Sequence, residues 1–301
     1  MSNIAISILI PCYNSVCVNL VKELSVQAQR LNAGHEIIVA DDGSTDKACI
    51  HANRSISTLN NCRYIEMGKN TGRAAIRNFL AKQASHAYLL YIDSDMTVIS
   101  PDFLLRYTSC LPAAEVVDGG VAIIAQTEDQ KVLLRYRYEK AEEANHTASE
   151  RQKRPYKHLH TANLLIKREI MLRYPFDERL RRYGYEDVLL GKTLHRYGIP
   201  ITHIDNPMGF CTFEPNSDFV AKTEEGLHTL YEFRSDLRGY SRLLTLVSGV
   251  HIPAIWWLMR LWHRLFGAIE RRNLCGSRPC LFVFKLYRLG YYLSLLQYRE
   301  G

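Results

Sequence analysis

The run Ala87-Tyr88-Leu89-Leu90-Tyr91-Ile92 is apolar without a break and stops at Asp93-Ser94-Asp95; no other stretch limits the possible folds as much. It is too short for a core helix and lacks polar alternation, so it reads as a strand covered on both faces, as in parallel sheets flanked by helices. The two carboxylates then stand at the carboxyl end of that strand, the edge at which open α/β sheets bind ligands. Hard oxygen donors there suit Mg²⁺ or Mn²⁺, cations often held by one or two carboxylates and completed by substrate phosphates. By itself an Asp-x-Asp is more cheaply explained as a turn or a helix cap. Its neighbours have to decide.

Three similar units precede it. Ala5-Ile6-Ser7-Ile8-Leu9-Ile10 predicts a buried first strand, and Pro11-Cys12-Tyr13-Asn14-Ser15 the turn leaving it, with Asn14 or Ser15 placed to cap a helix over 16–31. That helix ends at Asn32-Ala33-Gly34. Residues 35–40 predict a second strand, which runs into Asp41-Asp42-Gly43-Ser44-Thr45-Asp46, a β-turn and helix cap on its own merits. A third strand over 62–66 leads to Met67-Gly68-Lys69-Asn70-Thr71-Gly72-Arg73 and a helix through Leu80. Two glycines and two basic residues at a helix N-terminus make a phosphate-facing loop. Arg77, one turn beyond Arg73, either reaches the same anion or lies on a solvated helix face. Four strand–loop–helix units with their polar loops on one edge describe a Rossmann-like nucleotide-binding half.

The 301 residues, 47% hydrophobic and 23% charged, are ordinary globular composition, with room for one large α/β domain plus an appendage. Eight scattered cysteines without a Cys-x-x-Cys pair, and no charged segment ahead of an apolar core at the start, point to a reduced, cytoplasmic setting. The net charge of +7 is uneven: from Arg238 onward there are ten basic and two acidic side chains, a local +8, against 28 basic and 29 acidic elsewhere. A basic tail on a neutral body implies an anionic surface as partner.

Taken together, Ile10-Pro11-Cys12-Tyr13-Asn14, Ala40-Asp41-Asp42-Gly43-Ser44-Thr45-Asp46, Asn70-Thr71-Gly72-Arg73 with Arg77-Asn78, and Tyr91-Ile92-Asp93-Ser94-Asp95 resemble the successive motifs of the family 2 glycosyltransferases. The resemblance implies a nucleoside-diphosphate sugar donor, with UDP the expected nucleotide, on a glycosyltransferase A-type fold with a mixed central sheet. By that analogy Pro11, Tyr13 and Asp42 lie around base and ribose, and Asp41 and Arg73 near the nucleotide. Asn14, Asn70, Arg77, Ser94 and Asn163 complete the nucleotide-sugar site. Asp93 holds ribose or metal, and Asp95 binds the Mn²⁺ or Mg²⁺ that bridges the phosphates.

Further along, residues 101–111 predict a short helix, 116–125 a strand around Gly119-Gly120, and 132–154 a charged helical segment. His160-Thr161-Ala162-Asn163-Leu164-Leu165-Ile166-Lys167-Arg168 predicts a strand whose polar entry resembles the family's segment beneath donor sugar and acceptor. Glu186-Asp187 stand just ahead of a helix over 188–197. Capping explains them, yet in the family this pair supplies the base that deprotonates the acceptor hydroxyl, normally the Asp. Asp187 is therefore the expected base and Glu186 a positioning group. Some relatives use a downstream histidine as a further metal ligand, which makes His203 a candidate; a packed strand histidine is the plainer reading. Phe210 or Cys211 stands where such relatives place another histidine, so the third ligand stays unassigned.

After a polar helix over 218–234 the character changes. Residues 243–259 are apolar but short of the ~20 that a spanning helix needs, and they contain His251 and Pro253. Trp256, Trp257, Trp262 and Phe266 among Arg260, His263, Arg264, Arg271 and Arg272 suit an interfacial helix on anionic lipid; helices packed on the catalytic domain are the alternative. Nucleic acid is excluded as partner, because apolar bulk of this density has no use on a phosphate backbone. The expected organisation is a catalytic domain over 1–237 and a helical, amphipathic membrane-associating tail over 238–301. The expected enzyme is a metal-dependent inverting glycosyltransferase, peripheral on the inner face of the cytoplasmic membrane, acting on a glycan or lipid-linked acceptor. A nucleotidyltransferase also accounts for Asp93 and Asp95 but leaves Glu186-Asp187 without a role; a scaffold with a decayed site leaves all four acids unexplained.

Overall fold

The computed structural model describes residues 5–31, 33–250 and 252–296; Asn32, His251, Arg299 and Glu300, which enter the sequence reading, lie outside the described residues. The chain divides into two compact units. One comprises Met1–Ile124, Asn145–Arg181 and Leu189–Cys211, the other Ala125–Ala144, Arg182–Val188 and Thr212–Gly301.

The first unit carries ten strands: β1 (Ala5–Cys12), β2 (Gly34–Asp41), β3 (Cys62–Glu66), β4 (Tyr88–Ile92), β5 (Met96–Thr97), β6 (Val116–Asp118), β7 (Val121–Ile123), β8 (Asn163–Lys167), β9 (Ile201–His203) and β10 (Met208–Phe210). Seven of them form one sheet in the order β3-β2-β1-β4-β8-β6-β9. The first four are parallel, as their continuous apolar runs demand: Ile8, Leu9, Ile10, Ile37, Ile38, Val39, Leu89, Leu90, Tyr91 and Ile92 are all shut away from water. Strand β8 runs antiparallel to both β4 and β6, and β9 is parallel to β6, so the sheet is mixed. Strands β5, β10 and β7 make a small second sheet. Helices Val18–Arg30 and Arg73–Gln83 follow β1 and β3 at the expected places.

The strand expected over 116–125 is two strands in different sheets. The break falls at Gly119-Gly120, where Gly120 takes φ +82° and a Cβ would strike the Arg151 guanidinium. That guanidinium is buried and donates to the carbonyls of His146 and Ile204, so only a residue without a side chain lets the chain pass. The charged segment over 132–154 likewise breaks into separate helices at Leu134–Glu142 and Ala148–Gln152.

The second unit packs helices Leu134–Glu142, Asn216–Glu232, Pro253–Cys275 and Leu281–Leu295 around Leu134, Phe219, Val220, Leu274, Phe284 and Tyr287. Asn216 ties them together: its Oδ1 accepts the Leu134 N–H at 2.7 Å and its Nδ2 donates to the Gly276 carbonyl at 2.8 Å. Because helix Asn216–Glu232 belongs to this packing, the boundary expected at 237/238 falls inside the unit rather than at its start. The apolar run over 243–259 is not one helix either. Helix Arg242–Gly249 stops, and the next begins at Pro253, whose missing N–H and fixed φ suit a first turn. Among the described residues no helix is long and apolar enough to cross a membrane.

Candidate functional site

Register builds the edge. Cys12 pairs with Asp41, Asp41 with Glu66, and Leu9 with Tyr91, so the chain leaves β1, β2, β3 and β4 at one level of the sheet. With neighbouring strands about 4.8 Å apart, the four polar loops come out side by side.

The acids at the end of β2 hold these loops to one another. Asp41 accepts the Ser44 N–H at 2.7 Å on one oxygen and the Tyr64 hydroxyl at 3.0 Å on the other. Burial and that carboxylate push the Tyr64 phenol well up, which keeps it a donor. Asp42 accepts the Thr71 N–H at 2.8 Å, the Thr71 hydroxyl at 2.6 Å and the Gly72 N–H at 2.9 Å, and so pins the loop ahead of helix Arg73–Gln83. Both carboxylates are buried. Asn14, held at φ +47°, reaches across from the β1 loop: its backbone N–H donates to Ser44 Oγ at 2.7 Å and its Oδ1 accepts the N–H groups of Thr45 and Asp46 at 2.8 and 2.9 Å. Asp46 then caps helix Lys47–Asn53. Gly43, at φ +69°, lies so close to the β3 loop that a Cβ would come within 2.4 Å of the Lys69 carbonyl carbon.

A second group faces water at the same edge. Tyr13, Asn70, Arg73 and Asp95 are exposed, while Pro11, Asp93 and Ser94 are half-buried. Arg77, expected to lie beside Arg73 on the anion, is instead 2% exposed, and its guanidinium donates to Asp93 Oδ1 at 2.7 Å. The helix turns this side chain inward over the Phe176 ring, with the guanidinium carbon 5.7 Å from the ring centre. Arg77 therefore positions Asp93.

Two further expectations change. Asn163 pairs with Ile92 across the sheet but is wholly buried. Its Nδ2 donates to the Gly120 and Asn206 carbonyls at 2.8 and 2.9 Å, and its Oδ1 accepts the Tyr107 hydroxyl at 2.7 Å, so the amide knits the sheet interior. His203 stands on β9, three strands from β4 and so about 14 Å along the sheet. Its ring is buried, with Nδ1 accepting from Arg151 Nε at 3.2 Å and Nε2 3.0 Å from the Pro155 carbonyl. Asp118, fully buried on the neighbouring strand, draws His203, His160 and Arg151 around itself; burial pushes its carboxyl up, but the electrostatics and hydrogen bonding of His160, with Arg151 and His203, hold it below the usual range. Burial lowers the His203 imidazole in turn. This is an interior polar cluster, and it removes His203 from the metal assignment.

The remaining pair lies in the second unit, in the segment Arg182–Val188. Gly184 and Tyr185 adopt φ +93° and +71°, after which helix Glu186–Arg196 begins. Left-handed backbone at a tyrosine costs on the order of 1 kcal/mol and persists only where the surroundings impose it. Burial pushes the Tyr185 phenol up to about 12, with Arg288, Tyr138, Asp187 and Tyr292 in electrostatic range. Glu186 is buried; Asp187 is half-buried and accepts the Val188 N–H at 2.7 Å, a carboxylate in the first turn of a helix.

Sequence reasoning missed Tyr64, Ser44, Thr45, Thr71 and Tyr185. Thr71 had a signal, standing beside Gly72 directly ahead of a helix; Tyr64, inside the short strand Cys62–Glu66, had none.

Among the described residues no three His, Cys, Asp or Glu side chains gather around a common metal-sized point. An ion that takes one or two carboxylates from the protein and its other ligands from water and phosphate needs no such cluster. Exposed Asp95, two residues after Asp93 beyond the end of β4, carries oxygen donors of the hard kind that such an ion takes.

A family model described as glycosyl transferase family 2 matches residues 7–174. An N-acetylglucosaminyltransferase of Azorhizobium caulinodans is 28% identical over 134 residues, 43% of this chain and 33% of that protein. An uncharacterized glycosyltransferase of Haemophilus influenzae is 33% identical over 93 residues, 30% of this chain and 36% of that one. The chain thus spans about a third of the length of these curated relatives. Among solved structures, S. aureus TarS 1–349 in complex with UDP-GlcNAc aligns with a TM-score of 0.53 at 17% identity, over 99% of this chain and 92% of that one. A mannosyltransferase from Pyrobaculum calidifontis in complex with GDP-Man and Mn²⁺ gives 0.55 at 13% identity, over 98% and 87%. At such identities the likeness is one of fold.

Proposed function

The chain belongs to glycosyltransferase family 2, and on that premise we propose that it moves a sugar from a nucleoside-diphosphate donor to a hydroxyl of a lipid-linked glycan, with inversion at the anomeric carbon. The fold is the glycosyltransferase A type expected from the motifs, and the structures it resembles were solved with UDP-GlcNAc and with GDP-Man and Mn²⁺. One observation carries the reading: the sheet edge holds polar residues spent on tying the loops, with Asp41 and Asp42 buried among them, and beside them a water-facing group, Tyr13, Asn70, Arg73 and Asp95, whose chemistry suits a nucleoside diphosphate.

In the exposed set, Tyr13 offers a ring face to the base, and Asn70 hydrogen-bonds sugar or phosphate oxygens. Arg73, at a helix N-terminus, draws the diphosphate, where its charge and the helix dipole add. Asp93, oriented by Arg77, accepts from the ribose hydroxyls or joins Asp95 as an oxygen donor. Asp95, with Asp93, would hold Mn²⁺ or Mg²⁺, whose charge when bound offsets the negative charge gathering on the departing diphosphate. Asp187 takes the proton of the acceptor hydroxyl as that oxygen forms its bond to the anomeric carbon and the bond to the diphosphate breaks. The Val188 N–H fixes this carboxylate in a first helical turn. Glu186, buried beside it, shapes the segment.

The test is hydrolysis and transfer screened over a panel of nucleotide sugars with Mn²⁺, comparing the parent with Asp95→Ala and Asp187→Asn. Asp95→Ala is expected to abolish metal-dependent donor binding, whereas Asp187→Asn keeps binding and loses at least about a hundredfold in turnover. Equal loss of binding in both variants refutes the division of roles. Protection against unfolding by nucleoside triphosphates alone, with no effect of any diphosphate, refutes sugar transfer in favour of nucleotidyl transfer.

A further inference from the structure

Helix Pro253–Cys275 has two unlike sides. Gly267, Glu270 and Leu274 are buried among the other helices of their unit, with Gly267 against the His263 ring. The opposite side carries Ile255, Leu258, Leu261, Trp262, Leu265, Phe266 and Ile269, all exposed, Leu265 at 61% and Ile269 at 64%. At 100° per residue these seven fall within an arc of about 140°, the width of an amphipathic helix's apolar face, here turned to water. Phe282, at 73% the most exposed of the large apolar side chains among the described residues, stands at the start of the next helix, Leu281–Leu295.

Charge names the partner. Between residues 253 and 295 the one acidic side chain is Glu270, which is buried and accepts from Trp262 Nε1 at 2.7 Å. Arg264, Arg272, Arg278 and Lys285 are exposed. An apolar stripe of Leu, Ile, Phe and Trp whose exposed charges on its own helix and the next are all cations matches the boundary of an anionic bilayer, where rings and aliphatic chains enter the acyl region and guanidinium groups meet headgroup phosphates. A nucleic-acid surface has no use for seven exposed apolar side chains.

We propose that this face of helix Pro253–Cys275, continued by Phe282, is a docking surface for anionic lipid bilayers, on which the helix lies in the interface plane without crossing. It rests on the transferase reading only for its purpose, since binding needs no nucleotide sugar.

The test is co-sedimentation of the full chain with vesicles of phosphatidylcholine alone and of phosphatidylcholine with phosphatidylglycerol, together with light scattering of the chain without lipid. Partition is expected to be at least about tenfold stronger onto the anionic vesicles and to fall with added salt. The double substitution Leu265→Glu with Ile269→Glu is expected to reduce it at least about tenfold while the melting temperature and nucleotide-sugar hydrolysis stay at the parent's level. Equal binding to both vesicle types, or unchanged binding by the double variant, overturns the proposal. So does a dimer that the same substitutions dissociate while the parent ignores vesicles, which would assign the face to a second copy of the chain. Loss of hydrolysis in the parent leaves vesicle binding untouched, so failure of the transferase reading and of this one are told apart.

Discussion

The Arg77–Asp93 pair is unevenly buried, and that asymmetry makes a sharp prediction. Arg77 is 2% exposed and the Asp93 side chain 21%, with 2.7 Å between them. Removing one partner of a buried pair costs about 3–5 kcal/mol, because the other is left as an uncompensated charge. In Asp93→Asn the stranded charge is the guanidinium, which has almost no access to water; the new amide still accepts its hydrogen bond, so the low end applies, about 3 kcal/mol. In Arg77→Met the stranded charge is a carboxylate with a fifth of its surface wet, and methionine keeps the packing on Phe176, so the cost falls to roughly half of that. The double variant removes both charges of the pair and should be more stable than Asp93→Asn alone. With about 2–4 °C per kcal/mol for chains of this size, Asp93→Asn should lower the melting temperature by about 6–12 °C, Arg77→Met by about 3–6 °C, and adding Arg77→Met to Asp93→Asn should recover several degrees. Differential scanning calorimetry of the four proteins closes the cycle. Strictly additive losses, or a milder effect of Asp93→Asn than of Arg77→Met, would refute the reasoning.

Gly43→Ala must put a Cβ into the Lys69 backbone at a left-handed position, a conflict no rotamer relieves; a loss of at least about 2 kcal/mol and of at least about tenfold in donor affinity is expected, measured by thermal melts and titration with the donor. Stability should also fall on acidification below about pH 6.5. The unfolded His203 imidazole takes its proton near 6.5 whereas burial lowers the folded one, so between the two values the unfolded state binds more protons and folding weakens as pH drops. Asp118, also held below its ordinary value, adds a loss of the same sign below about 3.8. His203→Gln should flatten the upper part of that profile in melts taken from pH 5 to 7.5, and an unchanged slope would count against it.

The parallel half was readable from residues alone because strands β1, β2 and β4 are buried on both faces and their apolar runs end where the polar loops start. What the letters did not convey was division of labour along the edge. Asp41, Asp42 and Asn14 have the chemistry of ligand-binding groups, and the same chemistry fits N–H groups of the next loop; only their partners, and for the two acids their burial, separate the two uses. Arg77 was ambiguous for a related reason, since one helical turn from Arg73 looks outward on a wheel until Asp93 and Phe176 are in place. The break at Gly119-Gly120 stayed hidden because the obstacle, Arg151, comes from over thirty residues away. In the tail, amphipathic spacing gave the helices, while the partners of their buried sides, Leu134 and Phe219, belong to distant segments.

The ties from Asn14 to residues 44–46 and from Asp42 to residues 71–72 are complete before any donor arrives. Ordering of the edge is thus settled during folding, and an incoming nucleotide meets a nearly rigid receptor, with fast capture and little loss of chain entropy on binding. The same rigidity narrows the routes by which such a chain can be retuned. On the proposed reading, exchanging Tyr13 or Asn70 would alter what the edge recognises and leave its shape alone, whereas reshaping it means recutting backbone that several loops hold in common.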